Sequence, residues 1–168
     1  MRFQKPRRES QRAHANLKAF LLANGIQFEF LEKKRTEHAI EAASVTGIPL
    51  EHFVKTLVFH DQDNNPFIAI LRGDHDVDRH KLQNATGYAS VKTAPVQIAE
   101  KITGYPVGGI PPIGHKTKLP TFIDENLLAL KAVWCGGGSR SKLVRLRTED
   151  ILRLSNAVVR SFAREKKE

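Results

Sequence analysis

The stretch GYPVGGIPPIGH, from Gly104 to His115, decides which fold this chain can adopt. Its prolines remove backbone donors, and its glycines permit a positive φ or a close approach of the backbone, so the stretch is neither a regular helix nor a central strand. It is apolar, whereas a flexible linker is polar and rich in serine. We therefore predict a stiff, packed loop. Such a loop either presents bare N–H groups to a ligand oxygen or is a buried connector, and composition alone slightly favours the connector.

Length and composition predict a single globular domain. The chain has 168 residues, 40% of them hydrophobic and 27% charged, and a chain of this size buries about 70% of its unfolded surface. No apolar run approaches the roughly 20 residues of a membrane span, and the basic N-terminus lacks the apolar part of a signal peptide. Cys135 is the only cysteine, which excludes an internal disulfide. We predict a cytoplasmic protein with no membrane contact.

The net charge of +9 and the pI near 9.9 indicate a polyanionic partner, nucleic acid before membrane. Residues 1–12 contain five basic side chains against the single acid Glu9. This segment is either a basic arm for phosphates or a solvated, frayed end.

Upstream of the loop, the pattern predicts a helix capped by Ser10 and ended by Gly25, a strand over residues 26–30, and a helix capped by Thr36. Two apolar runs, residues 53–59 and residues 67–71, then predict a central hairpin, joined by turn residues.

Lys55 interrupts the first of these apolar strands. A lysine in such a strand either reaches solvent at an open end or meets an anion. The open end is the commoner case, but an anion becomes the better explanation if the sheet lies beside the glycine loop.

The segment RGDHDVDRH, from Arg72 to His80, resembles the start of a calcium loop. Arg79 stands where that loop needs glycine and Ala85 where it needs glutamate, so we reject calcium. We predict a turn, followed by a helix over residues 79–86 that Asp78 caps; the histidines lack the spacing of a metal site.

Downstream, helices and strands are mixed without strict alternation, which predicts an α+β fold with a mixed sheet flanked by helices. The predicted elements are a strand at 89–92, a helix with Pro95 at its first position, a strand at 121–123, a helix capped by Asp124, strands at 132–135 and 142–147, a helix at 148–154 and a strand at 158–162. Gly136, Gly137 and Gly138 form either an N–H nest or a permissive hairpin turn.

Five segments taken together resemble one family, the YbaK-type aminoacyl-tRNA deacylases, which are relatives of the editing domain inserted in bacterial prolyl-tRNA synthetases. The segments are VKTLVF (54–59), LRGDHDVD (71–78), TGYPVGGIPPIGH (103–115), TFIDENLL (121–128) and RTEDILRLSNA (147–157). The resemblance spans roughly residues 29–159.

The resemblance implies a fold and an activity. The fold is a mixed sheet curled toward a barrel with helices around it. The activity is hydrolysis of the ester between a wrong amino acid and the tRNA 3′ end, without a metal or other cofactor. The implied partners are aminoacyl-tRNA and, as a candidate, an aminoacyl-tRNA synthetase. We accordingly expect a basic arm and helix at 1–25, a single YbaK-like editing domain at 26–163, and a charged tail at 164–168.

The resemblance also implies site residues. Lys55, Gly108 and Gly109 match the catalytic positions, with the lysine on the tRNA terminus. The remaining assignments concern substrate binding and comprise Pro112, His115, Asp124, Gly136, Gly137, Gly138, Ser139 and Arg72. Many members have a histidine where this chain has Ser141 and Lys142, so the role of that histidine does not transfer.

These residues suit ester hydrolysis. An oxyanion donor is worth about 3–4 kcal/mol, and the amides of Gly108 and Gly109 are our candidates. Lys55 would hold a phosphate or ribose oxygen, and the substrate's 2′-hydroxyl could assist in placing water. Two alternatives stay open: a non-catalytic tRNA- or RNA-binding module, and a hydrolase with Cys135 as nucleophile.

Overall fold

The computed structural model describes the backbone of residues 5–165 and the side chains of residues 11–165. The helices are α1 (Lys5–Ala23), α2 (Ala39–Thr46), α3 (Arg79–Thr86), α4 (Val96–Thr103) and α5 (Thr148–Ser155). Short 3₁₀ helices cover Leu50–His52 and Glu125–Ala129. The strands are β1 (Phe28–Glu32), β2 (Val54–His60), β3 (Pro66–Arg72), β4 (His75–Val77), β5 (Lys92–Thr93), β6 (Thr121–Asp124), β7 (Ala132–Gly136), β8 (Lys142–Arg147), β9 (Val158–Arg160) and β10 (Ala163–Glu165).

These strands form three sheets. The largest has the order β5-β2-β3-β6-β9, and the other two have the orders β1-β8-β7 and β10-β4. The β2–β3 pair is the predicted antiparallel hairpin, whereas β6 runs parallel to both β3 and β9. The predicted mixed α+β fold is therefore confirmed.

The predicted curl toward a barrel is not confirmed, because no sheet of the described residues closes on itself. Phe53, directly before β2, and Trp134 in β7 form an isolated parallel bridge. A single bridge joins the two larger sheets without continuing their hydrogen-bond ladders.

The main core lies between the two larger sheets. Its members come from the inner faces of both sheets and from α1, α4, α5 and the glycine–proline loop; among them are Leu17, Leu21, Val54, Ile68, Ile70, Ala99, Tyr105, Ile113, Ile123, Val133, Val144, Leu146 and Ile151. The second cluster covers the other face of the large sheet and includes Phe59, Phe67, Ala69, Leu71, Leu82 and Phe162. Because β3 contributes to both clusters, it is buried on both faces, as its unbroken apolar run predicts.

Several predicted boundaries are wrong by a few residues. Helix α1 begins at Lys5, so Ser10 does not cap it. His38, and not Thr36, is the N-cap of α2. The predicted last strand, residues 158–162, ends at Arg160 as β9, and the further strand β10 was not predicted. Pro95 is the N-cap of α4 rather than its first residue. Local sequence specifies the presence of a helix or strand more firmly than its end residues.

Two expectations concern the chain ends. The side chains of residues 1–10, most of the predicted basic arm, lie outside the described residues, as do residues 166–168 of the predicted tail. Arg164 and Glu165, also assigned to that tail, instead belong to β10. None of the described helices combines the length and the apolar character that crossing a membrane requires.

Candidate functional site

The loop from Gly104 to His115 is packed and internally braced. Residues 109–113 are buried. The Tyr105 hydroxyl donates to the Gly114 carbonyl (2.8 Å), and Nε2 of His115 lies 2.6 Å from the Pro111 carbonyl. The amide of Gly109 donates to the Pro106 carbonyl (2.8 Å). The loop therefore has the fixed shape that its composition predicts.

Because glycine has no side chain, this loop can lie directly against the β7–β8 connection. A Cβ on Gly109 would lie 2.7–2.9 Å from the Ser139 backbone, and one on Gly136 would lie 2.5 Å from the Ile110 carbonyl oxygen. The Gly138 amide donates to the Gly109 carbonyl (2.9 Å). Both glycine segments are thus needed for one backbone-to-backbone contact.

The second glycine segment is a hairpin turn and not an open N–H nest. The Gly137 amide donates to the Lys142 carbonyl (3.0 Å), and the Gly138 amide is already used by the loop. The Gly137 carbonyl accepts a hydrogen bond from Nδ1 of His14 (2.7 Å). Helix α1 therefore supports this turn from outside, a contact that no sequence pattern indicated.

The two glycine amides assigned to catalysis differ in their hydrogen bonding. Within residues 11–165 the Gly108 N–H has no hydrogen-bond partner, whereas the Gly109 N–H is engaged. Gly108 is exposed and has a φ of 94°. The structure thus separates two amides that the sequence treated alike, and only that of Gly108 is available to a ligand oxygen.

Two basic residues, Lys33 and Arg140, brace the loop beside Gly108, and we call this pair the basic clamp. The Lys33 ammonium donates to the Thr36 hydroxyl (2.6 Å) and to the Arg140 carbonyl (2.5 Å), and Nε of Arg140 donates to the Val107 carbonyl (2.8 Å). Burial lowers the pKa of Lys33. Sequence reasoning missed both basic residues of the clamp, because Lys33 stands in a run of charges that resembles a solvated surface.

Lys55 meets an anion, the less common alternative for a lysine in an apolar strand. Its ammonium donates to the His75 carbonyl (2.6 Å) and lies 3.3 Å from Oδ1 of Asp76. The side chain is 20% exposed. Asp76 was not identified from sequence, although it stands in the acidic segment that resembles a calcium loop.

The bridge between Phe53 and Trp134 places the start of β2 beside β7, the strand that ends at Gly136. Because the two strands run parallel there, Lys55 and Gly136 each follow the bridge by two residues. Alternation places Lys55 on the same side of its strand as Phe53. Gly136 in turn lies against the backbone of Gly109 and Ile110.

Two other predicted residues hold polar partners within the protein. Asp124 is completely buried and accepts hydrogen bonds on both carboxylate oxygens. Arg72 makes a two-point contact with Asp74, at 2.8 and 2.6 Å. This hydrogen bonding raises the pKa of Arg72 and lowers that of Asp74.

The remaining predicted residues support the loop. Pro112 is buried within it, and the buried Ser139 has its hydroxyl 3.2 Å from that of Ser141. Burial lowers the pKa of His115, so its ring is mainly neutral at pH 7, and its Nε2–H donates to the Pro111 carbonyl. Cys135 is 1% exposed and burial raises its pKa, which argues against the nucleophile hypothesis because the thiolate is disfavoured.

A groove of about 1140 Å³ lies at the opposite end of β7. Its lining includes Phe28, Leu130, Ala132, Arg145 and Arg147. None of the predicted site residues lines it, so it is separate from the candidate site.

Comparison with known proteins places the chain among editing domains. The profile of the aminoacyl-tRNA editing domain family matches residues 33–154. A protein of Enterococcus faecalis named "Putative Cys-tRNA(Pro)/Cys-tRNA(Cys) deacylase EbsC" is 32% identical over 130 residues, which cover 77% of this chain and 79% of that protein.

Two further similarities agree with this match. A proline–tRNA ligase of Geobacter metallireducens is 32% identical over 130 residues, covering 77% of this chain but 22% of the ligase. A crystal structure described as "a putative trans-editing enzyme for prolyl tRNA synthetase" superposes with a TM-score of 0.80 at 28% identity, covering 92% of this chain and 98% of that one.

Proposed function

Because the chain belongs to the aminoacyl-tRNA editing domain family, we propose that it is a trans-editing deacylase that hydrolyses the ester bond of a mischarged tRNA. The observation that carries the proposal is the free Gly108 amide on a stiff loop, with Lys55 on the strand that the Phe53–Trp134 bridge joins to β7. The donor would stabilise the oxyanion that forms in ester hydrolysis, and the cation would hold the negatively charged RNA end.

The reaction follows from these groups. Water adds to the ester carbonyl carbon, and the resulting oxyanion accepts a hydrogen bond from the Gly108 amide. The bond from this carbon to the terminal ribose oxygen then breaks, that oxygen takes up a proton, and the free amino acid leaves. Lys55 holds a phosphate or ribose oxygen of the terminal nucleotide, and the ribose 2′-hydroxyl helps to place the water.

We further propose that the reaction needs no metal ion. The assigned groups are a backbone amide, an ammonium group and the substrate's own hydroxyl, and an ester is already an activated acyl group. Deacylation that is unchanged after dialysis against a chelator would support this part, and loss of activity restored by a divalent cation would contradict it.

The experiment that tests the function is a deacylation screen over a panel of mischarged tRNAs, with wild type, Lys55→Ala and Lys92→Ala. Lys92 is an exposed lysine of β5, so its replacement controls for lost charge. We expect Lys55→Ala to lower kcat/KM about 100-fold on the best substrate, as loss of a positioned charged donor does, and Lys92→Ala to leave it unchanged. Activity of Lys55→Ala equal to wild type would refute the assigned role.

The second candidate is a non-catalytic RNA-binding module on the same fold. The net charge of +9 favours it, as does the engagement of the Lys55 ammonium by Asp76. Salt-dependent tRNA binding without turnover on any mischarged tRNA would select this candidate, whereas turnover would remove it.

A further inference from the structure

Asp124 anchors the C-terminal strand of the protein. Its Oδ2 accepts hydrogen bonds from the amides of Phe162 and Ala163, both at 2.9 Å. Its Oδ1 accepts from the amide (3.0 Å) and the side chain (2.9 Å) of Asn126. The carboxylate is completely buried. With four donors already bound, it offers no hydrogen-bonding group to a substrate.

The anchored segment in turn holds β4. Within the described residues, β10 is the sheet partner of β4, with Ala163 opposite Val77 and Arg164 opposite Asp76. The side chain of Phe162 is fully buried, and its carbonyl accepts from the Asp78 amide (2.9 Å). The backbone position of β4 therefore depends on the C-terminal strand.

Strand β4 supplies both groups that hold the Lys55 ammonium, the His75 carbonyl and the Asp76 carboxylate. A shift of β4 would consequently move the ammonium. The contacts form a continuous series from Asp124 through β10 and β4 to Lys55.

We propose that Asp124 and β10 position Lys55 for the reaction, so that Asp124 is a positioning residue and does not bind the substrate. The inference rests on the proposed function for the role of Lys55, but the series of contacts does not depend on it. It replaces the substrate-binding role that the family resemblance implied for Asp124.

Two variants test the proposal. Asp124→Asn places an amide NH₂ group among backbone donors and weakens the anchor of β10. Arg164→Pro replaces an exposed residue and leaves the buried Asp124 carboxylate unchanged. In an antiparallel ladder, hydrogen-bonded pairs alternate with non-bonded ones. The Asp78 amide is hydrogen-bonded to Phe162, so the next hydrogen-bonded pair along the ladder is Asp76 and Arg164. Proline at position 164 removes the backbone N–H that residue 164 donates to this pair.

Each variant should lower the single-turnover deacylation rate at saturating enzyme about 10- to 100-fold, the loss expected from misplacing a reacting group by an ångström. The diagnostic experiment adds each change to Lys55→Ala. If Asp124 acts through Lys55, Asp124→Asn has no further effect in that background. If Asp124 touches the substrate itself, the two losses multiply, and the proposal is overturned.

Asp61→Asn is the matched control. Asp61 is a buried carboxylate that accepts the amides of Asp63 and Asn65 (both 2.9 Å) in the turn of the β2–β3 hairpin. It lies roughly 20 Å along the strand from Lys55. We expect this variant to lose stability comparably while keeping its deacylation rate; a rate loss equal to that of Asp124→Asn would overturn the proposal.

Hydrogen exchange separates this proposal from the proposed function. Amides of residues 75–78 should exchange at least about 10-fold faster in Asp124→Asn and Arg164→Pro than in wild type, and not in Asp61→Asn. If wild type hydrolyses no mischarged tRNA, the proposed function fails while this measurement still tests the contacts. Unchanged exchange in both variants, whether or not the protein is active, would overturn the positioning role.

Discussion

Gly109 illustrates how single residues determine the site. Its φ is not in the left-handed region, so its requirement for glycine comes from space: the added Cβ would meet three backbone atoms of Ser139 at 2.7–2.9 Å. Backbone atoms cannot rotate away as a side chain does. Any larger residue must therefore push the loop from the β7–β8 turn and take the neighbouring Gly108 amide with it.

We accordingly predict that Gly109→Ala costs about 1–3 kcal/mol of unfolding free energy, the usual cost of overpacking. We also expect it to lower deacylation about 100-fold through misplacement. Gly87→Ala is the control: Gly87 has a φ of 77° and nothing within 4 Å of its Cβ position. It should cost about 1 kcal/mol from backbone strain alone and leave the rate unchanged. Urea denaturation and single-turnover rates measure both effects, and a fully active Gly109→Ala would contradict the account of the loop.

His115 makes the free energy of unfolding depend on pH. Burial lowers the pKa of its imidazole in the folded protein, opposed by the hydrogen bond to Pro111. In the unfolded chain the pKa is about 6.5. Between these two values the unfolded state binds more protons, so the free energy of unfolding falls as pH falls, by at most about 1.4 kcal/mol per pH unit.

His115→Gln should reduce this dependence, because glutamine can donate to the Pro111 carbonyl but does not titrate. The measurement is the difference in unfolding free energy between pH 7.5 and pH 5.5, in wild type and variant. We expect a smaller loss in the variant. Equal losses would mean that His115 titrates alike in the folded and unfolded states.

At the level of elements, α1 is integral to the structure of the site. Leu17 and Leu21 are fully buried in the main core. His14 donates a hydrogen bond to the Gly137 carbonyl. The backbone of His14 also lies so close to Gly138 that position 138 cannot hold a side chain. The helix thereby fixes the turn against which the loop packs.

A pair of adjacent leucines tests this docking. Leu21→Ala should cost about 2–5 kcal/mol, as buried leucine truncations do. Leu22→Ala should stay within about 0.5 kcal/mol, since Leu22 is 60% exposed. Urea midpoints of the two variants give the comparison, and similar values would show that α1 contributes little to the fold.

Sequence reasoning succeeded where the determining contacts are local. The β2–β3 hairpin follows from two apolar runs and a turn, and the stiffness of the loop follows from its prolines and glycines. It failed where partners are distant in sequence: the His75 carbonyl that holds Lys55 is 20 residues away, and His14 is 123 residues from Gly137. Asp124 was correctly identified as a helix cap, but its bonds to Phe162 and Ala163 need the three-dimensional fold.

For the whole molecule, the net charge of +9 concerns affinity rather than the chemical step. The groups assigned to the reaction are one amide and one ammonium, which interact with the last nucleotide. Most basic side chains lie elsewhere. Examples are the exposed Lys34 and Arg35, which follow Lys33 of the basic clamp in sequence, and Arg145 and Arg147 on β8. A tRNA body is large enough to contact such residues, whereas its 3′-terminal trinucleotide is not.

Added salt should therefore lower kcat/KM strongly for an intact mischarged tRNA and only weakly for a short fragment of its 3′ end. We predict that log(kcat/KM) for an intact mischarged tRNA falls with log[salt] with a slope of about −3 or steeper, as expected if four or more phosphates are neutralised. A matched aminoacylated CCA trinucleotide should show a slope nearer −1, since few phosphates are available to it. Single-turnover rates at saturating enzyme should change little for either substrate, because the reacting groups are held on a packed, braced loop. Equal slopes for the two substrates would place all productive contacts at the 3′ end and leave the excess positive charge without a role in substrate binding.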